Sequence, residues 1–179
     1  MPADYYSTKK LLRESYKYKG PVYLRFTRDP VPPVYSGDEE FKIGKANILM
    51  EGDDLALIAI GDMVYHCIQA ANRLKDIGIS CSIVDMHTLK PLDEEVVYNM
   101  ACSTKGIITV EDHQIKNGLG SAVCDFVCEN YPTFVKRIGL KNTFAESGDY
   151  LLLLKKYKMD IDSIIKEAVN LIEGVSKRV

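Results

Sequence analysis

The feature that most restricts the fold is a run of six apolar residues, Leu55 to Ile60, closed by Gly61 and followed at once by a helical pattern. A strand wetted on one face alternates apolar and polar residues, whereas a strand covered on both faces reads as a continuous apolar run. The helical stretch spans about Met63 to Ile77, with Val64, Cys67, Ile68, Ala71 and Leu74 on one face and Gly78 as its stop. The same unit recurs downstream. Strands are predicted at Ser80 to Met86, Gly106 to Val110 and Thr133 to Ile138, with helices over about Leu92 to Cys102 and Gly118 to Asn130 between them. Alternating strands and helices predict an α/β fold, a three-layer α/β/α domain on a mainly parallel five-stranded sheet. The remaining strand, Ala46 to Met50, is joined to Leu55 by a turn at Gly52-Asp53-Asp54, close enough for a hairpin. One edge strand is therefore expected to run antiparallel. Helices at Asp149 to Lys158 and Asp162 to Gly174 end the pattern, the second capped by Asp160 or Asp162.

The residues before this domain are of another kind. Tyr5, Tyr6, Leu11, Leu12 and Tyr16 are spaced as on a helix over Pro2 to Lys19, with Asp4 as N-cap or first-turn acid, and Pro21 to Phe26 has strand composition. Asp29 to Asp38, with Pro30, Pro32 and Pro33, suits neither helix nor strand and reads as a linker. A lone helix and strand cannot bury their own apolar faces, so this pair is expected to be the end of another domain, separated by the linker from the main core.

Charge and cysteine usage narrow the function classes. Lys and Arg total 23 against 25 Asp and Glu, a net charge of −2 that gives no broad attraction for nucleic acid or an anionic membrane. No run approaches the roughly 18 apolar residues of a membrane span. The five cysteines, an odd number set in apolar runs with no secretory segment before them, suit reduced thiols and a cytoplasmic location. Cys124 and Cys128 stand one helical turn apart, yet two ligands do not complete a metal site, and core packing is the better account of them.

Three places carry candidate chemistry. Glu111-Asp112-His113 is expected just past a parallel strand, and Asn117 to Ser121 at the start of a helix, where free N–H groups can meet an anion. On the residues alone the blander reading is favoured, with glycines for tight packing and a solvated acid pair. His113 has a pKa suited to acid, base or ligand roles, or is simply hydrogen-bonded by its acidic neighbours. His66 and His87 have no companions at metal-ligand spacing and read as structural. Arg28, between a strand and a proline linker, can grip a phosphate bidentately or bridge two domains, and position alone does not separate these.

The run Leu89-Lys90-Pro91-Leu92-Asp93, then Thr104 to His113, then Gly118-Leu119-Gly120-Ser121-Ala122-Val123, resembles the C-terminal domain of transketolase. Pro2-Ala3-Asp4, Gly20-Pro21-Val22 and Thr27-Arg28 resemble the last helix and strand of that family's pyrimidine-binding domain. The resemblance implies domains at 1–33, the pyrimidine-domain remnant with the start of the linker, and 34–179, the C-terminal domain. It implies thiamine diphosphate and a divalent metal, Mg or Ca, in a complete enzyme that moves a two-carbon ketol unit between sugar phosphates of the pentose phosphate pathway. Arg28 matches the family's substrate-phosphate arginine. His113, Gly118 and Gly120 match a loop near the site with no catalytic role assigned, and Asn117 stands where the family often has Gly. The Gly-Asp-Gly motif that holds metal and diphosphate has no counterpart here. This chain alone is therefore expected to supply no catalytic, cofactor or metal ligand residue. Its expected role is structure, assembly and contact with the substrate phosphate, with a missing N-terminal part or subunit and a second copy, as a dimer, for partners. Deoxyxylulose phosphate synthase, the beta subunits of 2-oxoacid dehydrogenases and a non-catalytic assembly module are the rival readings.

Overall fold

The computed structural model describes residues 1–177. In chain order the elements are α1 (Tyr5–Lys17), β1 (Asn47–Met50), β2 (Leu55–Ile60), α2 (Met63–Asp76), β3 (Cys81–Asp85), α3 (Glu94–Ser103), β4 (Ile107–Gln114), α4 (Leu119–Asn130), β5 (Val135–Leu140), α5 (Tyr150–Lys156) and α6 (Ile161–Ser176). The strands form one five-stranded sheet in the order β1-β3-β2-β4-β5. β2 runs parallel to both β3 and β4, and β4 runs parallel to β5. Only the edge strand β1 is antiparallel, paired with β3. The expected three-layer α/β fold is thus observed.

Every residue of β2 is buried, as its unbroken apolar run requires. Leu55, Leu57 and Ala59 pack with Val64, Cys67, Ile164 and Ala168 on the α2 and α6 side of the sheet. Ala56, Ile58 and Ile60 pack with Val97, Val123 and Val127 on the α3 and α4 side. The period of two along a strand sends alternate side chains into two separate cores. Neither face is free for water.

Four expectations need correction. The hairpin between β1 and β2 does not form, because β3 and β4 already occupy both edges of β2, so β1 passes on to the outer edge of β3. Gly52 makes that crossing close: its N–H donates to Ser82 Oγ at 3.0 Å, and a Cβ there would lie 2.5 Å from Cys81 N. Residues 21–26 form no strand, and the five strands of the sheet pair only with one another. β4 runs on to Gln114, past its polar residues, after a register irregularity between Val110 and Gln114. Glu111, Asp112 and His113 therefore lie inside the strand rather than beyond it. Lastly, the opening helix is not set apart from the core, for Ala3 and Leu11 join the same apolar cluster as β2, together with Tyr35 and Phe41.

Asp4 explains that packing. It caps α1 by accepting from Ser7 N at 2.8 Å, while Ser7 Oγ accepts from Asp4 N at 2.9 Å, a reciprocal capping box. The other carboxylate oxygen accepts from Val34 N at 2.8 Å and Tyr35 N at 2.9 Å, tying the helix start to the linker. Among the described residues no helix is long and apolar enough to cross a membrane.

Candidate functional site

The chain winds from β2 out to β3 and then crosses back to β4 on the other side of β2. At such a reversal the crossover helices diverge and leave a crevice beyond the carboxyl ends of the strands, where sheets of this kind hold ligands. Here the crevice is bounded by Gly61 and Asp62 after β2, His87 after β3, the end of β4 and the start of α4.

Glu111 decides what the start of α4 can do. Its side chain is buried, with Oε2 accepting from Leu119 N and Oε1 from Gly120 N, each at 2.8 Å. These are the free N–H groups that the helix N-terminus would offer to an anion, and an internal carboxylate already takes them. Burial pushes the Glu111 pKa up, and the two N–H bonds pull it back down. A Cβ at Gly118 would collide with Glu111 Oε2, and one at Gly120 would lie 2.7 Å from Arg137 Cδ. The glycines are there for close packing, as the blander reading held. The acid pair is not simply solvated, because Glu111 is the internal cap. Asn117 adopts φ +60° and so takes the left-handed conformation that a glycine would.

His113 is exposed, its Nδ1 3.1 Å from Gln114 O and 3.9 Å from Glu111 Oε2. Asp112 is held from across the crevice: Arg25 donates to its carbonyl at 2.7 Å and stands 3.7 Å from its carboxylate. Met1 packs against Gly61, and its nitrogen donates to the His87 carbonyl at 2.7 Å. The opening segment thus lies over the carboxyl ends of β2, β3 and β4 and encloses a cleft of about 770 Å³. His113, Gly118 and Arg25 line that cleft, whereas Arg28 does not. Arg28 is 92% exposed and lies 3.5 Å from Asp29. Sequence reasoning missed Arg25, whose only signal was its position three residues before Arg28 in a segment taken for a strand.

Two buried acids lie close by. Tyr35 donates its hydroxyl to Asp85 Oδ2 at 2.6 Å, and complete burial pushes the Asp85 carboxyl up to about 7. The same desolvation, followed by the neighbouring acid, raises the Tyr35 phenol. Tyr150 donates to Asp62 Oδ2 at 2.7 Å, and desolvation raises Asp62. His66, whose Nε2 is 3.5 Å from the Tyr150 hydroxyl, is pushed down by burial, and His87 is pushed down to about 4 by the same cause. Cys124 is half-buried and Cys128 exposed, so the expected core packing fails: α4 turns Leu119, Gly120, Val123 and Val127 inward instead.

No group of three or more His, Cys, Asp or Glu side chains among the described residues is arranged to hold a metal ion.

Fold and crevice define a doubly wound α/β domain whose ligand-type edge is engaged by its own polypeptide. Residues 44–164 match the family model described as transketolase, C-terminal domain, and the chain belongs to that family. A chain of Methanocaldococcus jannaschii named as a transketolase C-terminal section is 44% identical, covering 92% of this chain and 52% of that one. A subunit of the apulose-4-phosphate transketolase of Phocaeicola vulgatus is 38% identical over 97% of this chain and 55% of its own. A solved chain described as a split gene transketolase, inactive beta4 tetramer, superposes with a TM-score of 0.92 at 35% identity, covering 96% of this chain and 56% of that one. The chain spans about half the length of these curated relatives.

Proposed function

We propose that the chain is the C-terminal part of a transketolase-type enzyme that passes a two-carbon ketol unit between sugar phosphates of the pentose phosphate pathway, and that its work there is docking and assembly. The observation that carries this reading is the engagement of the carboxyl-edge crevice by Met1, Arg25 and the Glu111 carboxylate, so that the edge serves as a seat for polypeptide. Residues 1–33 are then the end of the pyrimidine-binding domain and 34–179 the C-terminal domain. The cofactor, thiamine diphosphate with Mg or Ca, is held by the family's other domains and supplies the carbon–carbon bond chemistry there. Arg28, exposed and outside the cleft, is free to meet the phosphate of a sugar bound beyond this chain.

The partners are the N-terminal part and, in a cytoplasmic dimer, a second copy. Tyr5, Leu12, Tyr16, Val22, Tyr23 and Phe26 form an exposed apolar surface along the opening segment, which suits such contacts. Calorimetric titration tests the reading. Thiamine diphosphate with Mg is expected to bind a mixture of this chain and a polypeptide carrying the diphosphate- and pyrimidine-binding regions of a relative, and not this chain alone. Saturable binding to the chain alone would overturn it.

A further inference from the structure

The last residue of β3 is an acid with little around it to hold a charge. Asp85 is 0% exposed, and the Tyr35 hydroxyl donates to its Oδ2 at 2.6 Å. Its Oδ1 is buried with no hydrogen-bond partner, and the carboxyl joins no ion pair among the described residues. A buried carboxylate that meets one hydroxyl and no cation is costly, so this place favours the neutral form. The groups beside it do not reverse that balance. β1 and β2 pair Asn47 and Ala59 with it, and neither carries a charge. The Met1 amino group draws the carboxyl toward ionisation and Asp4 opposes it, while desolvation outweighs both. Burial raises the Tyr35 phenol, which stays a donor, and pushes His87, two residues on, down to about 4.

Tyr35 belongs to a short strap built to move as one piece. Of residues 34–41 only Tyr35 and Phe41 are buried, and their rings meet edge-on with centroids 4.8 Å apart. Phe41 also packs on the His87 ring, 5.3 Å away. Between them Glu39 accepts from Ser36 N at 3.0 Å and Gly37 N at 2.9 Å, which ties the intervening turn. Tyr35 itself is held at both ends by acids, its N–H donating to Asp4 Oδ2 at 2.9 Å and its hydroxyl to Asp85. Withdrawing the ring therefore gives the Asp85 carboxyl to water and loosens the Asp4 bonds to Val34 and Tyr35 with it.

We propose that residues 34–41 form a pH-sensitive strap, seated over the end of β3 while Asp85 is neutral and lifting from it once Asp85 is ionised. The closed strap holds a proton that the open strap releases. Opening is thus favoured as pH rises from the ordinary carboxyl range to about 7, and gains nothing further above that. The strap lies within the C-terminal domain, and the inference stands independently of the assembly role proposed above.

The test follows amide hydrogen exchange of the full chain by NMR between about pH 5 and about pH 8, each rate divided by that of an unstructured peptide at the same pH. The Val34 and Tyr35 amides are expected to open more readily than those of β2, and their opening constant to rise about a hundredfold across the range. Asp85→Asn should abolish that rise. Tyr35→Phe, which keeps the ring and removes the donor, should raise opening about tenfold near pH 5. Carbon NMR of the Asp85 carboxyl in the unaltered chain reads the proton without any variant, and a step near about pH 7 is expected. Val34 and Tyr35 exchanging only in step with β2, an opening constant indifferent to pH, or a carboxyl that titrates in the ordinary range would each overturn the proposal. So would an Asp85→Asn chain that keeps the parent's rise, or a Tyr35→Phe chain as closed as the parent.

Discussion

Replacing Asp85 with Asn should change the stability of this protein in opposite senses at low and high pH. Asp85 is fully buried and its carboxyl is pushed from the ordinary 3.8 up to about 7, chiefly by desolvation. The folded chain therefore holds this proton more tightly than the unfolded chain, so the stabilising contribution is complete below the ordinary carboxyl value and is lost as pH rises to about 7. At roughly 1.4 kcal/mol per pH unit, about 3 kcal/mol of that loss falls between about pH 5 and about pH 8. Asn carries no titrating proton, so the variant escapes the loss. Its side-chain oxygen can still accept from the Tyr35 hydroxyl, but its amide then occupies the place of Asp85 Oδ1, which has no partner among the described residues. That buried donor costs about 1–3 kcal/mol at every pH. Near pH 5 the variant should thus match or trail the parent, and near pH 8 the gap should have moved in its favour by about 3 kcal/mol, or about 6–12 °C in melting temperature for a chain of this size. Thermal unfolding followed by circular dichroism at both pH values reads this directly. A gap of the same size and sign at both would refute the claim that Asp85 holds its proton.

Further outcomes follow from the same geometry. Glu111→Ala leaves the Leu119 and Gly120 N–H groups buried without their acceptor and should cost about 2–4 kcal/mol in chemical denaturation, with Glu111→Gln milder because one acceptor remains. Gly118→Ala should cost about 1–3 kcal/mol in the same assay, since the added methyl meets the Glu111 carboxylate. Leu12→Lys with Tyr23→Lys, at exposed apolar positions, should lower the mass seen by sedimentation without lowering the melting temperature. In the completed enzyme Arg28→Ala should raise KM for the sugar phosphate about tenfold, and Arg28→Lys should not fully restore it, because a point charge lacks the two-pronged geometry.

The sheet was legible because β2 must be apolar on both faces and each following helix is amphipathic, so period and composition agreed along residues 55–138. Strand neighbours were less legible. The short turn at Gly52-Asp53-Asp54 favours a hairpin locally, but β3 and β4 take both edges of β2, and only the assembled sheet decides that. The opening helix was readable from Asp4 and its apolar spacing, whereas its seat was not, since Asp4 reaches Val34 and Tyr35 about thirty residues on. At the site, the glycines at 118 and 120 and the acid at 111 were visible as a group. What distinguishes Glu111 from its neighbour Asp112 is the pleat of β4, which turns the first inward to α4 and leaves the second to Arg25. Arg25 was not legible from its position near Arg28, because its partner Asp112 lies on a strand far along the chain.

The central claim, that this chain completes a transketolase-type enzyme, is tested most directly by steady-state ketol transfer in trans. The chain is mixed with a polypeptide carrying the diphosphate- and pyrimidine-binding regions of a relative, with thiamine diphosphate, Mg and a donor and acceptor pair of sugar phosphates. The account predicts transfer that rises with this chain and saturates near equal molar amounts, with neither component active alone. Transfer by this chain without the second polypeptide, or no transfer from a mixture in which sedimentation shows the two associated, would contradict it.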